Sequence, residues 1–337
     1  MKAMLLEAIS PVERHPLKLV ELPTPEPAEG DIRLRVNACG VCRTDLHVIE
    51  GDLPEKQLPI VPGHQVVGIV DALGPGAAGF EIGDRAGIAW LRGTCGACDD
   101  CRGGRENLCR ESSYTGYHAN GGYAEYAVVP AAYAYRLPDG FADLEVAPLL
   151  CAGIIGYRAL DRSGVAPGGR LLLYGFGSSA HVVLQLARER GCTVDVVTRG
   201  ESHRRLARRM GAEWVGGEGE IPPNRADGAI IFAPAGEIVP DALRAIRSGG
   251  TVACAGIHMT PVPEMEYEPC LFHEKTLTSV EANTREDGRG LLAEAASVPV
   301  AARVTEFALA EANEALIRLK RDGIDGSAVL RVSESDA

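Results

Sequence analysis

The sequence lacks an apolar run long enough to cross a membrane. Its longest nearly unbroken apolar stretch, residues 146–157, has 12 residues and contains Pro148, whereas a spanning helix needs about 20 apolar residues. The first fifteen residues also lack the apolar core and the small-residue cleavage site of a secretory signal. A cytoplasmic location is therefore expected.

Basic residues are the minority among the charged ones. The 337 residues include 34 Lys and Arg against 46 Asp and Glu, which gives a formal net charge of −12. A surface of that sign repels phosphate backbones and anionic lipid, so neither nucleic acid nor a membrane is an expected partner. Hydrophobic residues make up 46% and charged residues 24% of the chain, which excludes a disordered or fibrous protein.

The pattern of the chain changes near residue 152. The preceding segment is rich in Gly and Pro and has short β-type runs, at 32–36, 65–71 and 123–129, which is typical of a mostly antiparallel, partly barrel-like domain. Strand-like and helix-like segments then alternate, which indicates βαβ units and a doubly wound parallel sheet. The predicted strands of this part are residues 170–174, 193–198, 227–233 and 251–256.

The tail from about residue 287 is too small to fold alone. It holds a helical segment, 310–321, and a strand-like segment, 326–332. We expect it to return to the first domain, which makes that domain discontinuous. The predicted fold is thus α/β, with a mostly-β domain formed by 1–151 and 287–337 and a nucleotide-binding domain formed by 152–286.

Ten cysteines are present, and four of them lie within fifteen residues. In a cytoplasmic protein they are expected as thiols or metal ligands rather than disulfides. The two-residue gaps between the first three let neighbouring thiolates converge on one ion, and structural zinc commonly takes four cysteines. An iron–sulfur cluster is the nearest chemical alternative. The sequence predicts a structural zinc held by Cys95, Cys98, Cys101 and Cys109.

A second set of potential ligands is more dispersed. The segment CGVCRTDLH, residues 39–47, offers thiol, hydroxyl, carboxylate and imidazole groups, and His64 and Cys151 follow downstream. These groups could form a zinc site with two cysteines, one histidine and an open position, which can bind and polarise an oxygen. The alternative is that Cys151 is a small buried apolar residue and His64 a hydrogen-bonded loop histidine.

A glycine-rich turn follows the first predicted strand of the second region. Gly175, Gly177 and Ala180 form a G-x-G-x-x-A pattern between an apolar run and a helix-like stretch. The first Gly allows the tight turn, the second lets a pyrophosphate approach the backbone, and the small Ala lets the helix pack on the strand. The helix N-terminus then faces the phosphates. The pattern predicts a bound dinucleotide.

The end of the second strand indicates which dinucleotide is used. An NAD enzyme usually places an acidic residue there to hold the ribose 2′-hydroxyl, but the sequence has Thr198 and Arg199. Thr198 could hydrogen-bond a 2′-phosphate, Arg199 could pair with it, and Arg204 could assist from the next helix. The prediction is NADP in preference to NAD. The alternative is that these arginines form a solvated basic face.

Taken together, these motifs resemble the zinc-dependent alcohol dehydrogenases of the medium-chain dehydrogenase/reductase superfamily, along essentially the whole chain. The matching stretches are GVCRTDLH at 40–47, PGH at 62–64, the four cysteines, Cys151 and the glycine loop, in family order. The resemblance implies a GroES-like catalytic domain and a Rossmann cofactor domain. It also implies a homo-oligomer, a dimer or a tetramer.

The resemblance assigns roles to individual residues. It implies that Cys42, His64 and Cys151 bind a catalytic zinc, the ligand set known for alcohol dehydrogenase. Thr44 would accept the substrate proton, and His47 would pass it to solvent through the cofactor ribose.

Four further positions match less directly involved residues of the family. Asp45 would stand behind the ligand histidine, and Trp90 would line the substrate pocket. Arg43 would contact the cofactor pyrophosphate, and Arg285 is a weaker candidate for the same contact. One residue departs from the family, because Gln65 stands where a glutamate usually follows the ligand histidine.

The expected reaction is the reversible oxidation of an alcohol by NAD(P)⁺ to an aldehyde or ketone. Zinc lowers the pKa of the bound alcohol, and hydride moves to the nicotinamide. Polyols or cinnamyl-type aldehydes are alternative substrates. A protein of another class, a zinc-stabilised dinucleotide sensor without turnover, is the alternative function.

Overall fold

The computed structural model describes residues 1–54, 57–298 and 300–333. They form two compact units, the first made of Met1–Cys151, Asn283–Ala296 and Ala302–Ala337, and the second of Ala152–Ala282 and Ser297–Ala301. The chain thus re-enters the first unit at Asn283 rather than at the predicted 287, and residues 297–301 belong to the second unit. Among the described residues, no helix is both long and apolar enough to cross a bilayer.

The first unit is built mainly from β-strands. Strand β3 is the longest of its sheet, and its middle and end are buried because it is paired on both sides. The strands before the second unit are β1 (Lys2–Leu6), β2 (Leu17–Glu21), β3 (Asp31–Val41), β4 (Gln65–Leu73), β5 (Arg85–Ile88), β6 (Leu91–Gly93), β7 (Ser113–Tyr114), β8 (Tyr126–Pro130) and β9 (Ala134–Arg136).

Short helices connect these strands and carry most of the polar groups described below. Apolar side chains from β1, β3, β4 and β8 form one buried core beneath them. The helices of this part are α1 (Arg43–Glu50), α2 (Asp99–Arg102) and α3 (Asp143–Val146), with 3₁₀ turns at Glu106–Leu108, Ala131–Tyr133 and Ala147–Leu150.

The second unit is a parallel sheet with alternating helices. Its elements are α4 (Ala152–Arg162), β10 (Arg170–Tyr174), α5 (Ser178–Glu189), β11 (Thr193–Val197), α6 (Glu201–Arg209), β12 (Trp214–Gly216), β13 (Ala226–Ile231), α7 (Val239–Ala245), β14 (Ile246–Cys254) and β15 (Thr276–Ser279). The strand order β12-β11-β10-β13-β14-β15 reverses beside β10. Ligands of such sheets bind beyond the carboxyl ends of the strands at this reversal.

The last elements belong largely to the first unit. They are α8 (Arg285–Ser297), β16 (Val304–Ala308), α9 (Ala312–Lys320) and β17 (Ser327–Arg331). Strand β17 pairs with β3 in antiparallel register, with Ala328 opposite Val41, and β16 pairs parallel to β17. The α/β class with a mostly-β domain and a doubly wound domain is confirmed, although the parallel β16–β17 pair was not expected.

Candidate functional site

Three donor atoms from distant parts of the first unit converge. The Nε2 atom of His64 lies 3.3 Å from Cys42 Sγ and 3.2 Å from Cys151 Sγ, and the two sulfurs are 4.0 Å apart. Neighbouring donors around a tetrahedral zinc lie roughly 3.5–3.8 Å apart, given Zn–S of about 2.3 Å and Zn–N of about 2.0 Å. We call these three residues the three-donor site.

Local backbone geometry presents each donor. Cys42 follows β3 and caps α1, where its Sγ accepts a hydrogen bond from the backbone N–H of Thr44 at 3.3 Å. His64 precedes β4 and follows Gly63, whose φ of 96° and contact with the Tyr123 ring leave no room for a Cβ atom. Cys151 follows the 3₁₀ turn Ala147–Leu150. These three local conformations bring the ligand atoms of Cys42, His64 and Cys151 close together.

A buried carboxylate fixes the imidazole. Asp45 Oδ1 lies 3.0 Å from His64 Nδ1, and both side chains are almost fully buried. The other oxygen, Oδ2, accepts hydrogen bonds from Tyr123 Oη at 3.1 Å and from the backbone N–H of Cys42 at 2.9 Å. Nδ1 of the ring thus faces Asp45 and Nε2 faces the two sulfurs, the arrangement usual for metal-binding histidines.

The two thiols of this site differ in acidity. A hydrogen bond from Cys151, together with the neighbouring His64, holds the pKa of Cys42 well below its usual range despite burial. The same hydrogen bond, together with burial, raises the pKa of Cys151 well above it. A divalent cation bound at this site displaces any protons left on the sulfurs, because cysteine binds metal as thiolate. Two sulfurs and one imidazole fit zinc, with a fourth position left for another ligand.

Gln65, the residue that departs from the family, lies next to this site. Its side chain is buried, and its Nε2 has no hydrogen-bond partner among the described residues. The amide group packs against Gly40, where an added Cβ would be 2.7 Å from the Cδ of Gln65. The close packing keeps the amide against the backbone of β3.

An aromatic stack borders the ligand histidine. The indole of Trp90 stacks with the rings of Tyr114 and Tyr117, with centroid distances of 4.8 and 5.8 Å and nearly parallel planes. Its edge meets the imidazole of His64 at 5.0 Å. Trp90, predicted to line a substrate pocket, is therefore held in one orientation beside the three-donor site.

The residues predicted to move a proton lie on α1. Thr44 is in its first turn and His47 is one turn further, so both can present their side chains on one face. His47 Nδ1 lies 2.8 Å from Asp52 Oδ2. Sequence reasoning missed Asp52, although a carboxylate five residues after the histidine, beyond the glycine that ends the helix, was a visible signal.

The four cysteines of residues 95–109 also converge. We call this segment the four-cysteine lobe, and its ligand atoms all lie within 4.8 Å of one another. Sγ of Cys95 is 3.9 Å from that of Cys101 and 3.6 Å from that of Cys109, far beyond the S–S bond length of about 2.05 Å. No disulfide joins any of the ten cysteines, all of which the structure describes. The distances fit one tetrahedral ion.

Backbone amides of the lobe point at its sulfurs. Cys98 N–H donates to Cys95 Sγ at 3.3 Å, and Cys101 N–H donates to Cys98 Sγ at 3.5 Å. Hydrogen bonds from the backbone of Ala97 and Cys98 lower the pKa of Cys95 to about 7. These amides therefore stabilise the thiolate of Cys95, the form that binds metal.

In the second unit, the predicted dinucleotide loop joins β10 to α5. Gly175 has a φ of 84°, and its N–H donates to the carbonyl of Val197 at 2.8 Å. Gly177 caps α5 and has open space where a Cβ would stand, while Ala180 is fully buried. The loop thus leaves backbone exposed at the N-terminus of a helix of three turns, as phosphate binding requires.

The two residues that follow β11 differ in their exposure to solvent. Thr198 is buried and Arg199 is exposed. Arg204 donates from Nη1 to the carbonyls of Thr198 and Arg199, and from Nε and Nη2 to Glu201 Oε2 at 3.0 and 2.8 Å. The predicted phosphate ligand Arg204 thereby has a local role, which is to hold the turn that presents Arg199.

The two remaining arginines predicted at the cofactor have partners within the first unit. Arg43 is paired with Asp322 at the surface. Arg285 donates to both carboxylate oxygens of Glu106, at 2.9 Å from Nε and 2.6 Å from Nη2. Glu106 was not singled out in the sequence, because nothing near it in the chain indicates a partner 179 residues away.

Comparisons with known proteins show the family of the chain. The family model described as the alcohol dehydrogenase GroES-like domain matches residues 28–139, and that described as zinc-binding dehydrogenase matches residues 180–297. The chain is 48% identical to a probable alcohol dehydrogenase AdhA of Mycobacterium tuberculosis, over 98% of this chain and 97% of the relative. It is 34% identical to an alcohol dehydrogenase of Geobacillus stearothermophilus, over 98% and 100% of the two chains.

Solved structures show the same fold. An NAD-dependent alcohol dehydrogenase superposes with a TM-score of 0.89 at 26% identity, covering 99% of this chain and all of the other. The protein AibC superposes with a TM-score of 0.90 at 29% identity, covering 99% and 96%. The protein described here therefore belongs to the NAD(P)-dependent, zinc-dependent alcohol dehydrogenases of the medium-chain dehydrogenase/reductase superfamily.

Proposed function

We propose that Cys42, His64 and Cys151 hold the zinc at which this alcohol dehydrogenase oxidises its substrate. The observation that carries the proposal is the approach of three donors, from residues 42, 64 and 151, to within 4.0 Å of one another. Asp45 supports it, because a carboxylate on the far side of the imidazole orients and strengthens a histidine ligand. A buried thiol pair without such a role would not need a buried carboxylate beside it.

When bound, zinc supplies a Lewis acid and the dinucleotide supplies a hydride acceptor or donor. Thr44 would accept the hydroxyl proton of the alcohol while passing its own proton on towards His47, since it lies in the first turn of α1, two residues after Cys42. His47, one helical turn away, accepts the proton and releases it to solvent, a role suited to imidazole near neutral pH. Asp52 holds Nδ1 of that ring and leaves Nε2 for the proton transfer.

We also propose that NADP(H) is preferred to NAD(H). Thr198 stands where NAD enzymes usually carry an acid, and the exposed Arg199 follows it. A guanidinium can bind the 2′-phosphate with two parallel hydrogen bonds. Wild-type enzyme should show a lower KM for NADP⁺ than for NAD⁺ in steady-state assays, and an equal or lower KM for NAD⁺ would refute this preference.

The four-cysteine lobe completes the proposal, with a second zinc that is structural because all its positions are filled by protein. The substrates are small-molecule alcohols or aldehydes, and we propose a homo-oligomer, dimer or tetramer. One solved structure similar to this chain, with 27% identity and a TM-score of 0.89, is a cinnamyl alcohol dehydrogenase from Sorghum bicolor. Cinnamyl-type aldehydes and polyols therefore belong in the substrate panel.

The test is a scan of alcohols and aldehydes with both cofactors, using wild type, Cys42→Ser and Asp45→Asn. We expect alcohol-dependent NADPH formation that is lost in Cys42→Ser. Asp45→Asn should lower kcat/KM about 10- to 100-fold, as loss of a carboxylate behind a metal ligand generally does. A wild type that binds NADPH but turns over no alcohol would instead indicate the dinucleotide sensor.

A further inference from the structure

The two ends of the four-cysteine lobe are bound to one another through residues outside it. Thr94, just before the first cysteine, has its hydroxyl 2.7 Å from the Oη of Tyr133. Glu106, three residues before the last cysteine, accepts hydrogen bonds from Arg285 Nε, Arg285 Nη2 and the backbone N–H of Arg285, at 2.9, 2.6 and 2.8 Å. The carboxylate of Glu106 therefore accepts three hydrogen bonds from one residue, Arg285.

The aromatic ring of Tyr133 joins these two contacts. The guanidinium carbon of Arg285 lies 4.6 Å from the centroid of the ring, in cation–π geometry. A continuous series of contacts therefore connects Thr94 to Glu106 through Tyr133 and Arg285. The Glu106 side chain is only 12% exposed, and its hydrogen bonds from Arg285 hold the pKa of that carboxyl below its usual range.

The arginine itself stands on a rigid support. It is the first residue of α8, and Asp287 Oδ2 accepts hydrogen bonds from both the N–H and the hydroxyl of Thr284, each at 2.7 Å. Gly288 packs directly on the ring of Tyr135, where an added Cβ would be 2.3 Å from a ring carbon. The start of α8 is thus fixed against the first unit, and Arg285 has little freedom to move.

We infer that Thr94, Tyr133, Arg285 and Glu106 form a clamp that holds the first and last cysteines of the lobe at zinc-binding distance. We call these four residues the lobe clamp, and Arg285 and Tyr133 are its positioning residues. The inference rests on the proposed function to the extent that the lobe holds zinc. It also gives Arg285 a role other than the phosphate contact suggested by the resemblance.

The physical advantage is preorganisation. The lobe has few apolar side chains, so its own core contributes little order, and closing a flexible loop costs conformational entropy. Fixing residues 94 and 106 keeps Cys95 and Cys109 close together, and their sulfurs are 3.6 Å apart. A zinc ligand that dissociates then stays near the ion and rebinds, which slows metal loss.

The test measures release of zinc from the lobe to a chromogenic chelator, in full-length Cys42→Ser protein that retains only the lobe ion. Arg285→Met should release zinc about 10-fold faster, the usual effect of losing a partner that orients metal ligands. Arg285→Lys keeps the charge but loses the planar guanidinium and its parallel donors, so its zinc release rate should lie between those of the parent protein and Arg285→Met. Tyr133→Phe, which keeps the ring and loses the hydroxyl, should release zinc about threefold faster, the effect of one hydrogen bond.

The matched control is Arg289→Met on the same helix. Arg289 is exposed, pairs loosely with Glu286 at 3.7 Å, and acts on Glu106 through its charge alone, without a hydrogen bond to it. Its loss should therefore change the release rate far less than Arg285→Met does. The double variant Glu106→Gln with Arg285→Met should release zinc no faster than Arg285→Met alone, because the pair acts as a unit. If Arg285→Met does not fold, judged by circular dichroism, the Tyr133→Phe rate decides.

The outcomes separate this inference from the proposed function. Cys42→Ser protein without zinc would overturn the clamp and the proposed structural zinc, because the lobe would then not be a metal site, and would leave the proposal for the three-donor site standing. Zinc present but released at the wild-type rate by Arg285→Met and Tyr133→Phe would overturn only the clamp. A raised KM for NADP⁺ in Arg285→Met with unchanged zinc release would instead support the contact between Arg285 and the cofactor that the resemblance implies.

Discussion

The two units of the protein differ in the groups on which their proposed functions depend, which are side chains in the first and backbone groups in the second. In the first unit, the proposed function depends on side chains, namely the three-donor site, the four-cysteine lobe and the residues that orient them. In the second unit, the function attributed to it is carried mainly by backbone, namely the N–H groups of the glycine loop between β10 and α5. The proposed role of side chains there, such as Arg199, is to select which dinucleotide is bound.

The difference has a structural cause. A side-chain site needs buried partners for every polar atom, as Asp45 provides for His64 and Glu106 provides for Arg285. A backbone site needs only particular dihedral angles and small residues, as at Gly175 and Ala180. We therefore expect metal removal and single ligand substitutions to change the activity and stability of the first unit. In the second unit, we expect stability and cofactor binding to depend on buried and charged side chains.

The two tryptophans make this comparison measurable, because Trp90 lies in the first unit and Trp214 in the second. A Trp214→Phe variant reports unfolding of the first unit through Trp90 fluorescence. A Trp90→Phe variant reports unfolding of the second unit through Trp214.

The largest expected effect is on catalysis in the first unit. Cys42→Ser should reduce kcat/KM at least about 1,000-fold, a loss of roughly 4 kcal/mol of transition-state stabilisation that zinc supplies. Binding of NADPH, followed by nucleotide fluorescence, should stay within about twofold of wild type. Normal turnover by Cys42→Ser would place the chemistry outside the three-donor site.

The next effect is on stability of the first unit alone. Cys98→Ser should remove the lobe zinc and lower the unfolding free energy reported by Trp90 by roughly 3–4 kcal/mol, since metal binding contributes directly to folding. Urea denaturation monitored through Trp214 should be unaffected. Equal loss in both reporters would mean that the units unfold as one, and the comparison would fail.

A third effect belongs to the second unit and depends on pH. His181 in α5 is buried, and desolvation lowers its pKa from 6.5 to about 4. The unfolded chain therefore binds one more proton than the native chain between these values, so stability is complete above pH 6.5 and falls as the pH drops towards 4. The loss should approach about 3 kcal/mol.

This pH dependence is checked by urea denaturation of the Trp90→Phe variant between pH 7 and pH 4.5. Replacing His181 with Asn, which keeps a polar group without a titrating proton, should flatten the dependence. A dependence of the same size in His181→Asn would assign it to another group.

The smallest effect concerns the choice of cofactor. Arg199→Gln should raise the KM for NADP⁺ about 10-fold, the value of one charge-assisted contact, while the KM for NAD⁺ changes little. Arg199→Asp should reverse or flatten the preference. Arg205→Gln is the matched control, because Arg205 is on the neighbouring helix, is exposed, and lies 3.9 Å from Glu201. Equal effects of Arg199→Gln and Arg205→Gln would indicate a general basic field.

The sequence predicted best what depends on neighbours in the chain. The four cysteines lie within fifteen residues, so their spacing alone indicated a common ion. The glycine loop was likewise local, since its strand and helix flank it directly. By contrast, Cys42, His64 and Cys151 have no informative spacing, and the residues alone left Cys151 open as an ordinary buried thiol. The residues alone allowed a zinc site with two cysteines and one histidine, and the family resemblance selected Cys42, His64 and Cys151 as its members.

Contacts between distant segments left no pattern to find. Glu106 and Arg285 are 179 residues apart, and a single acid and a single base have no periodicity that would connect them. Short strands were missed for a related reason. Strand β15 has four residues, two of them threonine, and β12 has three, too few for alternation to distinguish a strand from a loop.

Metal analysis of three full-length proteins tests the account most directly. Wild type should contain two zinc ions per chain, and Cys42→Ser and Cys98→Ser should each retain one. Absorption of the cobalt-substituted proteins should then show a four-sulfur site in Cys42→Ser and a mixed sulfur–nitrogen site in Cys98→Ser. A fully active wild type with one zinc or fewer per chain would contradict the two-site account.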